Sequence, residues 1–279
     1  MTRLALVGSL ALTLAACTPP SVSLVLPSET PVAAATPVLP TATLQPGSTP
    51  TAPPPPTPDL PEEAILILEP GLASRATSPV RVSGIADPAF EQTLVVRLVL
   101  DDGTELALQP VMIEAGLGQR GPFSTEVAFV ISSERNAVLQ VFQRSPGDGG
   151  TLHLASVPVL LTPFGPAQIT DQARRPEQIA IFEPQAGAVI SGGVARVEGI
   201  GIAGFEQTLL VEVLDAEGNR LGAQAVIMQG VEYGVAAVFE ANVPYTVTTA
   251  GPGRIIVHDI SPAFGGDVHQ ASVEIELRP

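Results

Sequence analysis

The chain has 279 residues, of which 45% are hydrophobic and 4% aromatic, and its 28 acidic and 13 basic residues give a net charge of −15 at pH 7. So acidic a surface repels phosphate groups, which argues against nucleic acid as a partner and against the folded part lying on anionic lipid. The length suffices for two domains of ordinary size, each with its own core.

The first 17 residues have the parts of an export signal. A charged start at Arg3 is followed by an apolar run from Leu4 to Thr13 and by the small-residue sequence Leu-Ala-Ala-Cys, which ends on Cys17. The run is too short for the roughly 30 Å hydrocarbon layer of a membrane. Residues 14–17 resemble the bacterial lipobox, in which the cysteine thiol takes a diacylglyceryl group and the preceding peptide is removed.

Cys17 is also the only cysteine, so it has no partner for an internal disulfide. We therefore expect residues 1–16 to be a lipoprotein signal peptide, with acyl chains such as palmitate on Cys17 as lipid attachment site. Each buried methylene contributes about 0.8 kcal/mol, so two or three chains hold the protein stably. The predicted location is extracytoplasmic, anchored to the bacterial cell membrane. The alternative is an ordinary secretory signal with an incidental cysteine.

Residues 17–62 form a Pro/Thr-rich segment that contains 14 of the 29 prolines. Such a composition cannot build a hydrophobic core, and proline-rich chain favours the extended polyproline conformation at about 3.1 Å per residue. We predict a disordered linker or stalk that separates the membrane from the domains that follow; a stiff stalk and a flexible tether both fit the composition.

The remaining chain contains one pattern twice. The sequence "FEQTLVVRLVLDDG" from Phe90 returns as "FEQTLLVEVLDAEG" from Phe205, and flanking segments match at shifts of 114 to 116 residues. A drift of two residues over the whole unit indicates small loop insertions within one fold, and two copies are too few for a solenoid.

Each copy shows seven short apolar runs separated by turn residues, which predicts seven strands. The predicted fold is all-β, with two tandem immunoglobulin-like antiparallel β-sandwiches after the disordered stalk. The predicted strands are 65–68, 80–83, 93–100, 105–113, 123–131, 138–143 and 152–161 in the first copy, and 179–182, 194–198, 208–214, 220–227, 235–243, 254–258 and 268–277 in the second. The predicted domains are 63–163 and 179–279, joined by a linker at 164–178.

The repeated motif itself has a structural interpretation. We expect Phe90 and Phe205 to plug one end of each sandwich, and the following alternate residues to point into the core. Arg97 and Glu212 occupy equivalent positions on the other face, and their opposite charges predict that this face is solvated in both copies. "DDG" and "DAEGN" predict hairpin turns rather than calcium loops, because the spaced oxygen ligands of a calcium site are missing.

Three segments of the second copy resemble a known family. "EPQAGAVISGGVARVEG", "GFEQTLLVEVLDAEGNRLG" and "GPGRIIVHDISPAFGGDVHQASVEIEL" look like the immunoglobulin-like domain of bacterial spore germination, and the first copy matches less fully, with Asp148 in the loop that carries Phe264 in the second. The resemblance implies an extracytoplasmic module without established catalytic residues.

Few residues suggest catalysis or the binding of a metal or ligand. His153 and His269 are repeat equivalents that could form paired ligand sites, but we expect each to cap the edge of the final strand. His258 and Asp259 are adjacent, which places their side chains on opposite faces of a strand. No nucleophile motif or phosphate-binding loop is present, so we expect no enzyme, no catalytic residue, no metal and no cofactor.

The most informative candidates form an interaction surface. Val95 and Val99 on one long strand, and Leu210 and Leu214 on its repeat, put apolar residues on the outward face, which predicts cover by the sister domain or by a partner. Arg81 and Arg196 also correspond and could bind an anionic sugar or a carboxylate, although surface ion pairs explain them too.

The function expected from the sequence is a non-catalytic binding or adhesion module. Its expected partners are the membrane, through the lipid anchor, and an envelope protein or glycan, with no nucleic acid. The alternatives are a passive structural spacer of the cell envelope and, more remotely, a hydrolase.

Overall fold

A computed structural model describes residues 60–202, 207–228 and 234–279. The described residues contain strands, turns and one three-residue 3-10 turn, and no α-helix. The predicted all-β fold is therefore confirmed. The leader, Cys17 and most of the predicted stalk lie outside the described residues.

Within these ranges, no helix has the length and hydrophobicity needed to span a membrane.

The first repeat contains eight strands: β1 (Ile65–Glu69), β2 (Arg75–Ala76), β3 (Val80–Ala86), β4 (Thr93–Leu100), β5 (Glu105–Met112), β6 (Gly121–Val127), β7 (Arg135–Arg144) and β8 (Thr151–Leu161). The described residues of the second repeat also contain eight: β9 (Ile179–Glu183), β10 (Val189–Ile190), β11 (Val194–Gly201), β12 (Thr208–Asp215), β13 (Arg220–Ile227), β14 (Ala237–Pro244), β15 (Gly251–Ile260) and β16 (Asp267–Leu277).

The strands form three sheets. Each repeat has its own three-stranded antiparallel sheet, in the order β1-β3-β6 in the first repeat and β14-β11-β9 in the second. The third sheet runs through both repeats in the order β13-β12-β15-β16-β8-β7-β4-β5, with β10 and β2 added beside β16 and β8. One ten-stranded sheet is thus common to both repeats.

Each repeat nevertheless has its own hydrophobic core. Alternate residues of β4, including Leu94, Val96 and Leu98, point between the first repeat's three-stranded sheet and the large sheet and are fully buried. Leu209, Val211 and Val213 of β12 do the same in a separate cluster in the second repeat. The two cores share the large sheet but no residues.

All fourteen predicted strands are present, two of them with the predicted bounds and most of the others longer than predicted. The prediction for 123–131 was wrong at its end, because β6 stops at Val127. The two-residue strands β2 and β10 were missed; they pair in parallel with β8 and β16, and two residues are too few to show a period.

The predicted role of Phe90 was wrong, since 57% of this side chain is exposed, and Phe205 lies outside the described residues. In the turn that begins the motif, Gln92 is buried instead, and its Nε2 donates to the carbonyl oxygens of Gly116 and Gln119, each at 3.0 Å. Both Gln92 and its equivalent Gln207 have positive φ, at 54° and 51°. The motif therefore preserves an unusual backbone turn at the entrance to β4 and β12.

A glycine packed under a phenylalanine explains another repeated element, "VRVSG" and "ARVEG". Gly84 lies under the Phe123 ring and beside the carbonyl oxygen of Leu66, and a methyl group on its Cα would lie 2.5 Å from Phe123 Cζ. Gly199 has the same relation to Phe239. Neither position has room for a side chain.

We predict that Gly84→Ala or Gly199→Ala lowers the free energy of unfolding by about 1–3 kcal/mol, because the new methyl group forces a buried ring or a strand to move. Urea denaturation measures the change. The control is Gly251→Ala on β15, where a methyl group would meet no atom within 4 Å and the cost should stay within about 0.5 kcal/mol. Equal effects at all three positions would contradict this packing.

Candidate functional site

The two repeats meet through antiparallel pairing of their last strands. His153, Leu154 and Ala155 of β8 pair with Ala271, Gln270 and His269 of β16, and the pairing is centred on Leu154 and Gln270. At a shift of 116, Leu154 and Gln270 are repeat equivalents, so Leu154 pairs with its own equivalent. The residues on either side of Leu154 pair with each other's equivalents. The repeats are therefore related by an approximate two-fold axis, like the subunits of a homodimer.

The segments that lead into β1 and β9 cross at the same axis. The amide of Glu63 donates to the carbonyl oxygen of Arg175 at 3.2 Å, and the amide of Glu177 donates to that of Pro61 at 2.8 Å. Glu63 and Glu177 are themselves repeat equivalents, at a shift of 114. The predicted linker 164–178 is consequently an ordered part of the junction, and residues 168–172 also hydrogen-bond to the first repeat.

Both repeat-equivalent histidines lie at this junction and contact a buried glutamate of the opposite repeat's entry segment. His153 Nε2 lies 3.1 Å from Glu177 Oε1, and His269 Nε2 lies 3.3 Å from Glu63 Oε1. Arg175 also donates to Glu63, which is 1% exposed. The prediction that these histidines cap a strand edge was wrong, because β8 and β16 pair with each other there.

The His153 pair is electrostatically coupled. Burial lowers the pKa of His153, but the hydrogen bond and charge of Glu177 outweigh burial and raise this pKa above the usual 6.5. Burial raises the pKa of Glu177, and the hydrogen bond and charge of His153 outweigh it in turn and lower this pKa below 4.5. The folded junction thus favours the ion pair.

On the outer face of the large sheet, each repeat sends a hairpin tip across its sister. Residues 145–150, between β7 and β8, form tip 1, and residues 261–266, between β15 and β16, form tip 2. Tip 1 lies against Arg254, whose Nε donates to Asp148 Oδ2 at 3.1 Å and whose side chain also contacts Ser272 and Glu274. Arg254 is 2% exposed, and we call this group the Arg254 cluster.

Tip 2 lies against the first repeat and leaves a groove of about 800 Å³. Its apolar lining comes mainly from Val138 and Pro158 of the large sheet, Phe264 and Ala263 of tip 2, and Leu72. We call it the Phe264 groove. A smaller cavity of about 360 Å³ lies on the other side of Phe264, where Val99 and Gln140 line it.

The predicted interaction residues lie on this outer face. Val99 is 7% exposed and lines the smaller cavity beside Phe264 of the sister repeat, so cover by the sister domain accounts for it. Val95, Leu210 and Leu214 are half-buried.

Val95 and Leu210 each belong to a larger exposed apolar patch near an end of the sheet. Val95 pairs with Pro110 of β5, and Leu210 pairs with Ala225 of β13. We define strip 1 as Val95, Leu108, Pro110 and Met112, and strip 2 as their repeat equivalents Leu210, Ala223, Ala225 and Ile227. Leu108, Met112 and Ile227 are 49%, 56% and 61% exposed.

The two predicted arginines lie elsewhere. Arg81 on β3 and Arg196 on β11 belong to the three-stranded sheets, on the opposite side of each sandwich from the strips. Arg81 lies 3.9 Å from Glu69, and Arg196 donates to Glu240 at 3.0 Å. Surface ion pairs therefore account for both, and they do not join the apolar candidates in one site.

The outer face is less solvated than Arg97 and Glu212 predicted. Arg97 is half-buried and pairs with Glu105 at 2.8 Å, and only 13% of the Glu212 side chain is exposed. Glu212 lies 3.5 Å from His258, whose Nδ1 is 2.8 Å from Asp267.

No three His, Cys, Asp or Glu side chains among the described residues form a group suited to a metal ion. The two predicted hairpin turns are present: the amide of Gly103 donates to the carbonyl oxygen of Leu100 at 2.9 Å, and that of Gly218 donates to that of Asp215 at 3.1 Å.

Comparison with protein families agrees with this architecture. A model of the family described as the immunoglobulin-like domain of bacterial spore germination matches residues 64–150. The resemblance predicted from the sequence is confirmed in the first repeat. The expectation that the second repeat would match the family more fully was wrong, because the match lies in the first repeat. This match supports a non-catalytic binding or structural module as the class of function.

Comparison with curated proteins gave no match. Among solved structures, the chain is similar to red sea bream transglutaminase, with 8% identity over 79% of this chain and 31% of that one and a TM-score of 0.29. It is also similar to a chimeric titin Z1Z2 tandem, with 15% identity, coverage of 76% and 97% and a TM-score of 0.22.

The N-terminal Ig1-2 module of a Drosophila receptor protein tyrosine phosphatase has 11% identity, coverage of 78% and 100% and a TM-score of 0.22. Likenesses this weak carry no argument about function, and the chain spans less than a third of the transglutaminase.

We predict that the His153 pair makes stability depend on pH. Because the pKa of His153 is raised on folding, its contribution is complete below about pH 6.5 and is lost as the pH rises through the folded pKa. The contribution of Glu177, whose pKa is lowered, is lost only in acid. Urea denaturation at about pH 6 and about pH 8.5 should show wild-type stability falling by more than that of His153→Gln. Parallel changes in the two proteins would contradict the prediction.

Proposed function

We propose that this protein is a lipoprotein held outside the cytoplasm by acyl chains on Cys17, in which the two repeats act together as a non-catalytic binding or adhesion module for an envelope protein or glycan. The sequence around Cys17 supports the anchor, and the family match supports the class of module.

The observation that carries the binding role is the pair of exposed apolar strips. Soluble surfaces usually scatter their apolar residues, and grouped ones mark interaction sites. Strips 1 and 2 occupy equivalent positions at opposite ends of one sheet and face outward, although their residues differ in size. Retention of an apolar surface at both places favours contact with a partner.

The junction adds a geometric reason. Because β8 and β16 pair directly, the strips are carried by a single sheet and not by two domains on a flexible hinge. A partner that contacts both strips then binds without an added entropic cost for ordering the repeats. The net charge of −15 disfavours a strongly anionic partner.

A photo-crosslinking residue at Val95 or Leu210, on intact cells of the source bacterium, tests this proposal. Either position should give a discrete crosslinked species, whereas the control positions Arg81 and Arg196, on the opposite side of the sandwiches, should give none. Cys17→Ala should abolish both palmitate labelling and the membrane association of the protein. Equal labelling at all four positions, or none at any, would favour a passive spacer over a binding module.

A further inference from the structure

The two hairpin tips have the same backbone and different side chains. In tip 1 the amide of Ser145 donates to the carbonyl oxygen of Gly150 at 2.8 Å, and in tip 2 the amide of Ser261 donates to that of Gly266 at 2.9 Å. The glycines between, Gly149 and Gly265, have φ of 73° and 69°. The duplicated element therefore crosses the sister sheet in the same way on both sides of the two-fold axis.

We call the place where a tip lies over the sister repeat a crossing. The side chains at three repeat-equivalent positions differ between the two crossings. A shift of 116 relates Asp148, Arg254 and Glu274 of the Arg254 cluster to Phe264, Val138 and Pro158. The first set forms hydrogen bonds and ion pairs that fill the space under tip 1. The second set has no charge, and the space under tip 2 remains open as the Phe264 groove.

A buried polar group in the groove has no hydrogen-bond partner. Ser156 lines the groove and is 3% exposed, and its Oγ contacts no donor or acceptor among the described residues. Its repeat equivalent, Ser272, donates to the carbonyl oxygen of Thr151 at 2.7 Å and accepts from Arg254. A buried hydroxyl without a partner is unfavourable, and Ser156 Oγ is enclosed in this structure. A ligand therefore gains binding energy at this atom once rotation about the Ser156 Cα–Cβ bond turns the hydroxyl toward the groove.

The chemistry of the lining favours a peptide over a glycan. Three of the polar side chains that line the groove are already paired: Asp101 accepts from Arg135 at 3.1 Å, Ser74 lies 3.0 Å from Thr170, and Arg75 pairs with Glu134. Asn136 and Ser261 also line the groove. A sugar needs many free hydrogen-bonding groups, whereas this groove offers aliphatic surface and one aromatic ring. Its volume of about 800 Å³ lies in the range of ligand pockets and holds a short apolar segment.

We propose that the Phe264 groove binds an extended, uncharged peptide segment of a partner protein. Leucine- or phenylalanine-sized side chains pack against Val138, Pro158 and Phe264, and a backbone group of the peptide hydrogen-bonds to Ser156 Oγ. The groove continues the interface between the repeats, so both repeats contribute to the site. The inference rests on the proposed binding function and names one site and one class of partner for it.

The test uses the full chain with Cys17→Ser, which prevents acylation, and an array of capped 12-residue peptides whose three central residues are Leu-Phe-Leu, Ser-Ser-Ser or Asp-Asp-Asp. We expect retention on the Leu-Phe-Leu peptides alone. The triple variant Val138→Arg, Pro158→Glu and Phe264→Asp copies the Arg254 cluster into the groove. It should weaken peptide binding at least tenfold and leave the thermal midpoint close to that of the parent chain.

Two single variants complete the experiment, one as a further test of the groove and one as a control. Phe264→Ala removes one apolar wall at a half-exposed position, so it tests the groove even where the triple variant fails to fold. Asp148→Ala alters the equivalent residue of tip 1 and should leave peptide binding unchanged.

Equal binding by the parent chain and Phe264→Ala, failure of the parent chain to prefer Leu-Phe-Leu, or retention on chitotetraose in place of peptides would each overturn the inference. The proposed binding function and the groove are tested by different outcomes. A crosslinked partner that persists at Val95 in the triple variant would leave the binding module intact and remove only the groove from it.

Discussion

The pairing of β8 with β16 is the interaction on which the remaining architecture depends. Only three residues of each strand take part, and they lie beside the two-fold axis. This short pairing joins two sandwiches into one sheet, brings the entry segments of both repeats together, and lets each hairpin tip reach over its sister. The backbone groups of strand edges that would otherwise be open are satisfied within the chain, which also limits edge-to-edge aggregation.

Duplication within one chain has allowed the two sides of the axis to diverge. In a homodimer both crossings would carry the same residues, but here one crossing contains Arg254 and Asp148 and the other contains Val138 and Phe264. A buried arginine with several partners fixes one crossing, while the other retains an open apolar groove. The charged crossing is held by hydrogen bonds and ion pairs, and the apolar one is the site proposed above for a peptide.

The sequence predicted the elements better than their arrangement. Alternation of apolar residues identified every strand longer than two residues, because burial of one face imposes a two-residue period. It did not predict the merged sheet, since His153 and Leu154 look like ordinary strand residues and only coordinates show that β16 is their neighbour. Burial of Gln92 in place of Phe90 was also missed, because an alternating pattern does not reveal the positive φ of Glu91 and Gln92 before β4. The repeat equivalence of His153 and His269, and of Glu63 and Glu177, was a signal of the junction that the aligned sequences already contained.

The distance between spin labels on the two repeats tests the shared sheet most directly. Cysteines in place of Leu108 and Ala223, in a chain with Cys17→Ser, put equivalent labels on exposed positions of β5 and β13, near opposite ends of the sheet. Pulsed electron paramagnetic resonance should give one narrow distance distribution, as expected for a continuous sheet. A broad distribution, as for two domains on a flexible linker, would contradict the account.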